Sequence, residues 1–393
     1  MTDTHVLIVG GGIAGSCLAQ GLRRTGLAVT LFERDPSAAH RPQGYRISLK
    51  DTGARALRAC LPDHLFDLAV ATSIRPATRM IFMDSGLRPK FAKDIPEQRP
   101  GVDGLGVNRL TLREILLAEP AGTGGGTVRF GMDYQRYERL DGGRVRAHFA
   151  GGHQVDGDLL VGAEGVGSRV RAQLLPGAVV DELGWTLYGR TWITPELLAA
   201  TPPELIDSFN RVTAPDGTAI GIATCRPLTP VPEAVARHAP GTRLTDVPGY
   251  FSWTMSASGP RPDGVPPAGL HRLAMDTVRD WHEGVRRIVR EADPEATFVL
   301  QLHSARRVEP WDEPAVTLVG DAVHSMSPGR GEGANVGLRD AHLLGELLAA
   351  AAAEGRPLSA AKAGYERRML DYAFTAVDAS RDHPFAPFRR PAG

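Results

Sequence analysis

Apolar residues in this chain follow two kinds of pattern, and the first kind appears near the start. The short apolar run His5–Val9 leads into a glycine-rich turn at residues 10–15, after which apolar residues recur at helical spacing. A second apolar run at residues 28–32 follows and ends at Glu33. These patterns predict a strand, a glycine turn, a helix and a second strand, in that order.

A similar arrangement occurs near the other end of the chain. Apolar residues 316–319 lead into a turn at Gly320, and a loop spaced by glycines and a proline then precedes a predicted helix. A buried strand would bring a carboxylate, bare amides and a helix N-terminus to one point, which suits a large, partly anionic ligand with hydroxyl groups. An ordinary strand–turn–helix is the alternative. The candidate ligand-binding residues are Asp321, Pro328, Gly331, Gly333, Ala334 and Asn335.

The spacing near the start of the chain meets the requirements of a dinucleotide-binding motif. The glycines permit a tight turn and a close approach of the backbone to a pyrophosphate at the helix N-terminus. Glu33 follows Gly10 by 23 positions, where a carboxylate would meet an adenosine ribose. An acid there favours a 2′-hydroxyl over a 2′-phosphate and fits the ADP half of FAD or NAD. The candidate residues are Gly10, Gly12, Ala14, Gly15, Glu33 and Arg34, of which Arg34 is alternatively a solvated neighbour.

Three further segments carry charged residues where such a ligand would bind. Arg46 lies in a predicted strand and would face the pyrophosphate or, alternatively, solvent. Residues 107–117 predict an amphipathic helix whose Arg109 and Arg113 share a face, either for an anionic ligand or as an exposed basic stripe. Another buried strand ends at Glu164, which repeats the arrangement of an acid after a strand.

The chain between about residues 176 and 299 shows the second kind of pattern. Strand-like stretches with aromatic residues alternate with segments rich in proline and glycine, which predicts an inserted substrate-binding domain built on a β-sheet. Alternation places Phe251, Trp253 and Met255 on one strand face, which is either core or the wall of an apolar pocket. The candidate pocket residues are Tyr188, Trp192, Phe251, Trp253 and Met255.

The composition is that of a globular protein that acts on small molecules. Of the 393 residues, 42% are hydrophobic and 23% charged. Acidic and basic residues number 45 each, so net charge does not support binding to nucleic acid or to an anionic membrane. The three cysteines lie far apart without a CxxC pair, which predicts neither a disulfide framework nor a metal site. Without a signal sequence or a membrane-spanning apolar run, the protein is expected to be cytoplasmic.

Four motifs, taken in order, resemble those of a known family. They read GGGIAG with Glu33, then NRLTLREILL, GAEGVGSRVR and GDAVHSMSPGRGEGANVGLRDA. Over nearly the whole chain this order resembles the class A FAD-dependent monooxygenases of the p-hydroxybenzoate hydroxylase fold, in particular the small tetracycline-inactivating and polyketide-tailoring hydroxylases. The resemblance implies an α/β fold in which a GxGxxG Rossmann-like FAD-binding domain carries an inserted β-sheet substrate domain and C-terminal helices.

The pattern changes and the resemblance together predict the domain bounds. The expected FAD-binding domain is discontinuous and consists of residues 1–75, 100–175 and 300–345. The expected substrate-binding domain consists of residues 76–99 and 176–299. A C-terminal helical segment at residues 346–385 and a flexible tail at residues 386–393 complete the expected organisation.

The resemblance also implies roles for individual residues. Arg109 would lie near the flavin, Asp321 would hold the ribityl chain, and the loop of residues 328–335 would border the isoalloxazine. Glu164 stands where the family usually has aspartate, so FAD binding is expected but the efficiency of flavin reduction is in question. His324 is expected to be structural, and no general base is predicted.

The implied reaction is a flavin-dependent hydroxylation. NADH or NADPH would reduce FAD, O2 would form a flavin hydroperoxide, and one oxygen atom would enter an aromatic or polycyclic substrate, as in antibiotic biosynthesis. The open alternatives are an epoxidase or Baeyer–Villiger oxygenase of the same fold and a non-oxygenating FAD-binding reductase. A flavin-dependent halogenase is disfavoured, because residues 192–195 only partly match its tryptophan signature. The protein is expected to be a monomer or a homodimer.

Overall fold

The computed structural model of the protein describes residues 4–40, 45–118, 128–256 and 260–381. Numbered along the chain, its strands are β1 (His5–Val9), β2 (Ala28–Glu33), β3 (Arg46–Lys50), β4 (Arg79–Asp84), β5 (Pro89–Asp94), β6 (Gly104–Asn108), β7 (Val128–Phe130), β8 (Tyr134–Arg139), β9 (Val145–Phe149), β10 (Gln154–Gly157), β11 (Leu159–Gly162), β12 (Val180–Trp192), β13 (Ser208–Thr213), β14 (Ala219–Cys225), β15 (Tyr250–Ser256), β16 (Phe298–Ala305) and β17 (Val316–Leu318). Its helices are α1 (Ile13–Arg24), α2 (Asp51–Cys60), α3 (Asp63–Ala71), α4 (Arg109–Leu117), α5 (Arg169–Leu174), α6 (Pro195–Ala200), α7 (Val231–His238), α8 (Pro267–Thr277), α9 (Glu283–Arg290), α10 (Asp321–His324), α11 (Gly333–Ala353) and α12 (Leu358–Arg381). The expected tail at residues 386–393 lies outside the described residues.

The first large sheet has five strands in the order β17-β11-β1-β2-β7, and every neighbouring pair is parallel. Parallel strands are covered on both faces and therefore contain continuous apolar runs. Val6, Leu7 and Ile8 of β1 are accordingly fully buried. The strand order places β17 at one edge, so residues 316–318 complete a sheet that begins at residue 5.

The second large sheet has seven strands in the order β16-β12-β15-β14-β13-β4-β5. One face carries Phe251, Trp253 and Met255, which are fully buried against residues of helices α8 and α9. The ring of Trp253 lies over Gly189 of the neighbouring strand, where an added β carbon would be 1.9 Å from the ring. Glycine is therefore required at position 189 for this packing.

The opposite face of the seven-stranded sheet meets the rest of the molecule through a small sheet. The Tyr250 hydroxyl donates to the Tyr45 carbonyl oxygen at 2.9 Å and accepts from the Asn108 side chain at 2.9 Å. The Tyr45 ring also contacts that of Phe298, with centroids 5.8 Å apart. Because Tyr45 precedes β3 and Asn108 ends its antiparallel partner β6, this two-stranded sheet joins the two large ones.

Three element boundaries differ from the prediction. The helix predicted from residue 107 begins at Arg109, because Val107 and Asn108 pair with β3 and the Asn108 side chain caps the helix. Residues 300–305, expected in the FAD-binding domain, lie instead in β16, whose backbone pairs along β12. Helix α11 runs through residue 345, where a boundary to a separate C-terminal segment was expected.

The two long C-terminal helices pack against the five-stranded half of the molecule. In α12 the Tyr365 hydroxyl donates to the Leu318 carbonyl oxygen at 3.0 Å, which attaches this helix to the end of β17. Helix α11 packs against α1, the helix that follows the first glycine turn. Of the helices within the described ranges, none has both the length and the apolarity needed to cross a bilayer.

Candidate cofactor site

The glycine turns from the two ends of the chain contact each other. Gly320 has a φ of 63°, and an added β carbon there would lie 3.0 Å from the methyl carbon of Ala14. At Gly337 the corresponding distance to Ala14 is 3.3 Å. Both approaches are too close for an ordinary side chain, so glycine is required at Gly320 and favoured at Gly337. Two motifs that are far apart in sequence therefore form one site.

The turn after β1 leaves the start of α1 open for a ligand. Gly10 has a φ of 108°, and an added β carbon there would lie 2.4 Å from the Ala163 carbonyl oxygen. At Gly15 an added β carbon would lie 2.2 Å from the Gly10 carbonyl oxygen. Gly12 differs, because its nearest such neighbour is 4.0 Å away and because it begins α1 without a side-chain cap. Uncapped N–H groups beside open space are what a pyrophosphate requires.

Glu33, at the end of β2, organises this turn. Its Oε2 accepts from the Gly11 N–H at 2.8 Å, and its Oε1 accepts from the Asp35 N–H at 2.8 Å. The Glu33 side chain is buried, whereas the neighbouring Arg34 is exposed. The contact of Glu33 with a ribose and that of Arg34 with a cofactor stay predictions.

The two arginines of α4 have separate roles, which the repeated spacing in the sequence did not reveal. The Arg113 Nε donates to the Gly11 carbonyl oxygen at 2.9 Å, and the guanidinium pairs with Glu33 and Asp35, each at 3.1 Å. Arg113 is buried and has protein partners on several of its donors. It therefore holds the turn after β1 in shape and was missed as a functional residue.

Arg109, by contrast, begins α4 at the joint between the two large sheets, where its N–H donates to the Tyr45 carbonyl oxygen at 3.0 Å. Its side chain is exposed to solvent, yet burial by the surrounding protein lowers its pKa. The Asp321 carboxylate opposes this lowering, Arg113 adds to it, and Tyr188 opposes it. Such interactions require the groups to lie close together, and we call the space beside them the cleft. Arg109, Asp321 and Tyr188 therefore face the same space.

Asp321 presents a free carboxylate to this cleft. It is the first residue of α10, directly after Gly320, and its side chain is exposed. Its carboxylate accepts no hydrogen bond from the residues that the structure describes. An added β carbon at Gly333 would lie 3.8 Å from the Asp321 Oδ1, so the loop that begins at Pro328 and turns at Gly331 borders this carboxylate.

The side chain of Asn335, in contrast, is committed to the protein. Its Oδ1 accepts from the Lys50 N–H at 2.7 Å, and its Nδ2 donates to the carbonyl oxygens of Ser48 at 3.1 Å and Gly331 at 2.8 Å. Because both amide hydrogens have acceptors, the side chain has no donor left for a cofactor. In place of the predicted side-chain contact, Asn335 joins the start of α11 to the end of β3. A contact of the neighbouring Ala334 with FAD stays a prediction.

Both carboxylate oxygens of Glu164 are also used within the chain. Oε2 accepts from the Ser168 hydroxyl at 2.6 Å, and Oε1 accepts from the Val170 N–H at 3.0 Å. Burial raises the pKa of Glu164, although these two hydrogen bonds oppose the rise. The longer acid therefore caps the start of α5. A direct contact of Glu164 with FAD stays a prediction.

Arg46 lies at the joint between the two large sheets. Burial raises the pKa of Cys225 to about 11, and the charge of Arg46 opposes that rise. The same charge opposes the rise in the pKa of Tyr250 that burial causes. Cys225 and Tyr250 both belong to the seven-stranded sheet, so Arg46 is close to the substrate side. Its contact with the pyrophosphate stays a prediction.

The predicted pocket residues divide between the two faces of the seven-stranded sheet. Phe251, Trp253 and Met255 lie on the helix-covered face and are fully buried in its core, so their predicted pocket role is wrong. Tyr188 and Trp192 lie on the opposite face, toward the cleft. Tyr188 is stacked against an aromatic ring of β16, with centroids 5.5 Å apart, while Trp192 is 37% exposed.

One cross-strand row on the cleft face runs from this stacked pair to an arginine. In pairing order the row consists of Phe298, Tyr188, Thr254 and Gly221, and it continues toward Arg211 of β13, which precedes the Val212–Ile220 pair by one residue. Tyr188 and Arg211 are separated by three strand spacings of about 4.8 Å, which gives a distance of roughly 14 Å. Gly221 lies between them and has no side chain to fill the intervening space on this face of the sheet. Burial lowers the pKa of Arg211, and its guanidinium forms no ion pair with the described residues. Arg211 is not among the candidate residues predicted from the sequence.

Comparison with known proteins shows to which family the chain belongs. A family model described as FAD binding domain matches residues 3–179 and 276–380. The chain belongs to the class A FAD-dependent monooxygenases. The matched segments of this FAD-binding family contain the turn at Gly10, helix α4 and the turn at Asp321, and the match supports FAD as the cofactor of this chain. The unmatched residues 180–275 hold most of the seven-stranded sheet.

The names of two proteins similar to this chain also mention FAD. The chain is 33% identical to the dual O-methyltransferase/FAD-dependent monooxygenase elcB of Phaeosphaeria nodorum, over 88% of this chain but only 40% of that protein. A crystal structure described as an FAD-containing monooxygenase of Photorhabdus luminescens has a TM-score of 0.80 and 31% identity, covering 96% of each chain. The tetracycline destructase Tet(51) shares the fold alone, with a TM-score of 0.65 and 17% identity over 96% of this chain and 89% of that one.

Proposed function

We propose that the protein is an FAD-dependent monooxygenase that consumes NADH or NADPH and inserts one oxygen atom from O2 into an aromatic or polycyclic substrate of natural-product type. The observation that carries the proposal is the cleft in which Arg109 and Asp321 face Tyr188 of the seven-stranded sheet. FAD, when bound, supplies the redox chemistry and the activation of O2. The protein must hold the cofactor, orient the substrate and exclude water.

Three features of the cleft would hold FAD. The uncapped N–H groups after Gly12 would bind the pyrophosphate, and the free Asp321 carboxylate would accept hydrogen bonds from ribityl hydroxyls. Arg109 would place a positive charge beside the flavin. The N-terminus of α11 lies beside Asp321 without a side-chain cap, so its positive end would stabilise negative charge on the reduced ring.

The row on the cleft face indicates the chemistry of the substrate. The stacked rings of Tyr188 and Phe298 form a flat apolar surface for a planar ring system. Arg211 is a partly desolvated cation without a carboxylate partner in the described chain, which suits an acidic oxygen of the substrate. We therefore infer a planar, polycyclic molecule with a carboxylate, phenolate or enolate at one end.

A non-oxygenating FAD-binding reductase is the second candidate. The observation that favours it is Glu164, whose carboxylate is bound to Ser168 and Val170 at the motif where the family has aspartate. If this departure weakens the reaction with the nicotinamide cofactor or with O2, the protein would bind FAD without inserting oxygen. An epoxidase or Baeyer–Villiger oxygenase would use the same cleft and differ only in product.

The test uses the purified holoprotein, NADH or NADPH, labelled O2 and a panel of polycyclic phenols and aromatic acids. We expect at least one compound to stimulate nucleotide oxidation and to gain one labelled oxygen, with NMR locating its position. Asp321→Asn should bind FAD measurably more weakly, whereas Asp371→Asn, an exposed control on α12, should bind it as the wild type does. Flavin reduction without label in any product would favour the reductase. Failure of both NADH and NADPH to reduce the flavin would exclude the monooxygenase.

A further inference from the structure

Behind the turn that carries Asp321 lies a buried histidine–aspartate pair that the proposed reaction does not use. We propose that Asp340 and His324 form a positioning ion pair, in which Asp340 sets Asp321 in place for FAD and His324 supplies the countercharge. The inference rests on the proposed role of Asp321 in binding FAD. It extends the functional site into a layer of residues that never touch the cofactor.

Asp340 of α11 connects three parts of the molecule. Its carboxylate is fully buried. Oδ2 accepts from the Gly320 N–H at 2.8 Å and bonds His324 Nε2 at 2.5 Å, while Oδ1 accepts from the Tyr372 hydroxyl at 2.6 Å. Gly320 is the residue before Asp321 and has a left-handed φ of 63°. Asp340 therefore holds the backbone at the point where the direction of the Asp321 side chain is decided.

Other contacts hold the chain on both sides of this turn. Before it, the Val319 N–H donates to the Gly162 carbonyl oxygen at 3.0 Å and the Tyr365 hydroxyl donates to the Leu318 carbonyl oxygen. The Arg171 guanidinium donates to the Ala322 carbonyl oxygen at 2.9 Å. The Ala305 N–H of β16 donates to the Ser325 carbonyl oxygen at 2.8 Å. The last two contacts fix residues that follow Asp321, whereas the Gly320 N–H before it is held by Asp340. Loss of the Asp340 carboxylate should therefore change the position of Asp321 rather than unfold the turn.

A fully buried carboxylate requires a compensating charge. The titratable groups around His324 are Asp321 on α10, Asp340 and Arg339 on α11, Tyr365 and Tyr372 on α12, and Arg171 on α5. Burial, with the Asp340 charge, raises the pKa of both tyrosines, so they stay neutral. Arg339 is exposed over the Tyr372 ring, and Arg171 is bound to backbone carbonyl oxygens. His324 is therefore the remaining group that can neutralise Asp340 when protonated, although its buried Nδ1 has no partner among the described residues.

The protonation of His324 predicts the direction in which FAD affinity changes with pH. Burial by itself lowers the pKa of His324, but the charge and hydrogen bond of Asp340, together with Asp321, raise it above its ordinary value. A group with a raised folded pKa has its full stabilising effect below the ordinary value of about 6.5 and loses it as the pH rises through the folded value. FAD affinity should therefore fall at alkaline pH.

The first test is a double-mutant cycle that measures FAD affinity of the full apoprotein by quenching of flavin fluorescence. Asp340→Asn should weaken FAD binding about tenfold in the wild-type background and less than twofold in Asp321→Asn, because the effect passes through Asp321. Equal losses of FAD affinity in the two backgrounds would contradict the positioning role of Asp340 and would leave the role of Asp321 in FAD binding unaffected. If Asp321→Asn binds FAD as the wild type does, the role of Asp321 itself fails, and the proposal fails with it.

The second test concerns the countercharge. His324→Gln should abolish the alkaline decline in FAD affinity, while His64→Gln, an exposed control on α3, should keep it. An identical pH profile for His324→Gln and the wild type would refute the countercharge. If Asp340→Asn does not fold, Tyr372→Phe removes one hydrogen bond to Asp340 and should weaken FAD binding about threefold with an unchanged circular dichroism spectrum. Unchanged affinity in Tyr372→Phe would then overturn the proposal.

Discussion

The two faces of the seven-stranded sheet have opposite tasks although the same strands supply both. On one face Trp253 and its neighbours are sealed beneath α8 and α9. On the other face Tyr188, Thr254 and Arg211 line an open cleft. A strand alternates its side chains, so each residue that supports the core is followed by one that is available to a ligand.

This difference shows what alternation does and does not predict. The pattern of β15 correctly grouped Phe251, Trp253 and Met255 on one face, but it did not tell which face the helices cover. The larger and more apolar side chains proved to be the core, which the hydrophobic effect favours. The polar alternates Tyr250, Ser252 and Thr254 face the cleft side.

The largest effect should come from the sealed face. Trp253→Ala removes a fully buried indole and leaves a cavity beside Gly189, so the free energy of unfolding should fall by about 3–5 kcal/mol. Denaturant unfolding of the holoprotein measures this change. Trp253→Phe, the control, should lose less, because it fills part of the space and removes an indole N–H that has no partner among the described residues. Equal losses for the two variants would contradict the cavity argument.

A smaller loss should follow from filling the space under that ring. Gly189→Ala places a β carbon where the Trp253 ring now lies, and we expect about 1–3 kcal/mol of destabilisation. Gly221→Ala on the cleft face is the matched control, because an added β carbon there meets its nearest atom only at 3.5 Å. Thermal unfolding should separate the two variants, and similar melting temperatures would show that the sheet relaxes freely.

Substitutions on the cleft face should change substrate binding rather than the free energy of unfolding. Arg211→Gln removes the cation at the end of the row, so KM for an acidic substrate should rise about 10–100-fold, as expected for one charged hydrogen bond. The free energy of unfolding should change by less than about 0.5 kcal/mol. Arg79→Gln on the adjacent strand, with a half-exposed side chain, serves as the control. A loss of stability as large as that of Trp253→Ala would mean that Arg211 supports the packed core rather than substrate binding.

The smallest effect should come from the Tyr188 hydroxyl. Burial raises the pKa of Tyr188 above its ordinary value, although Thr254 and Arg109 oppose the rise, so the phenol stays protonated at pH 9. Tyr188→Phe keeps the stacked ring and should lower kcat/KM by about threefold to tenfold. The pH profiles of variant and wild type should run parallel from pH 7 to about 9. Profiles that diverge below pH 9 would mean that Tyr188 ionises in the active range.

The sequence predicts the cofactor half of the molecule well, because backbone geometry dictates the residues there. Gly10 and Gly320 have left-handed φ values and close neighbours, so glycine is required and leaves a readable motif. Arg113 and Asp340 also lie within two of the quoted motifs, but the motifs do not reveal what these residues do. Their roles depend on partners that are distant in sequence, such as Gly11 and Gly320, and only the folded chain shows that these groups meet.

The substrate half could be predicted only as a class of structure. Arg211 has a role because three other strands place Gly221, Thr254 and Tyr188 beside it in register. Register depends on pairing across the whole sheet, which local patterns do not specify. The same dependence explains why the predicted domain boundary at residue 300 falls inside β16.

The contact of Gly320 and Gly337 with Ala14 has a consequence for the order in which the living cell can make this protein. Translation produces the turn after β1 first, but the residues that close over it emerge only after more than 300 others have been joined. Until then the ribosome-bound chain contains only the first part of the proposed site. It lacks the Asp321 carboxylate that would hold the ribityl chain. The contact of both glycines with Ala14 therefore cannot form until synthesis has passed residue 337, and a chain interrupted before that point lacks part of the proposed FAD site.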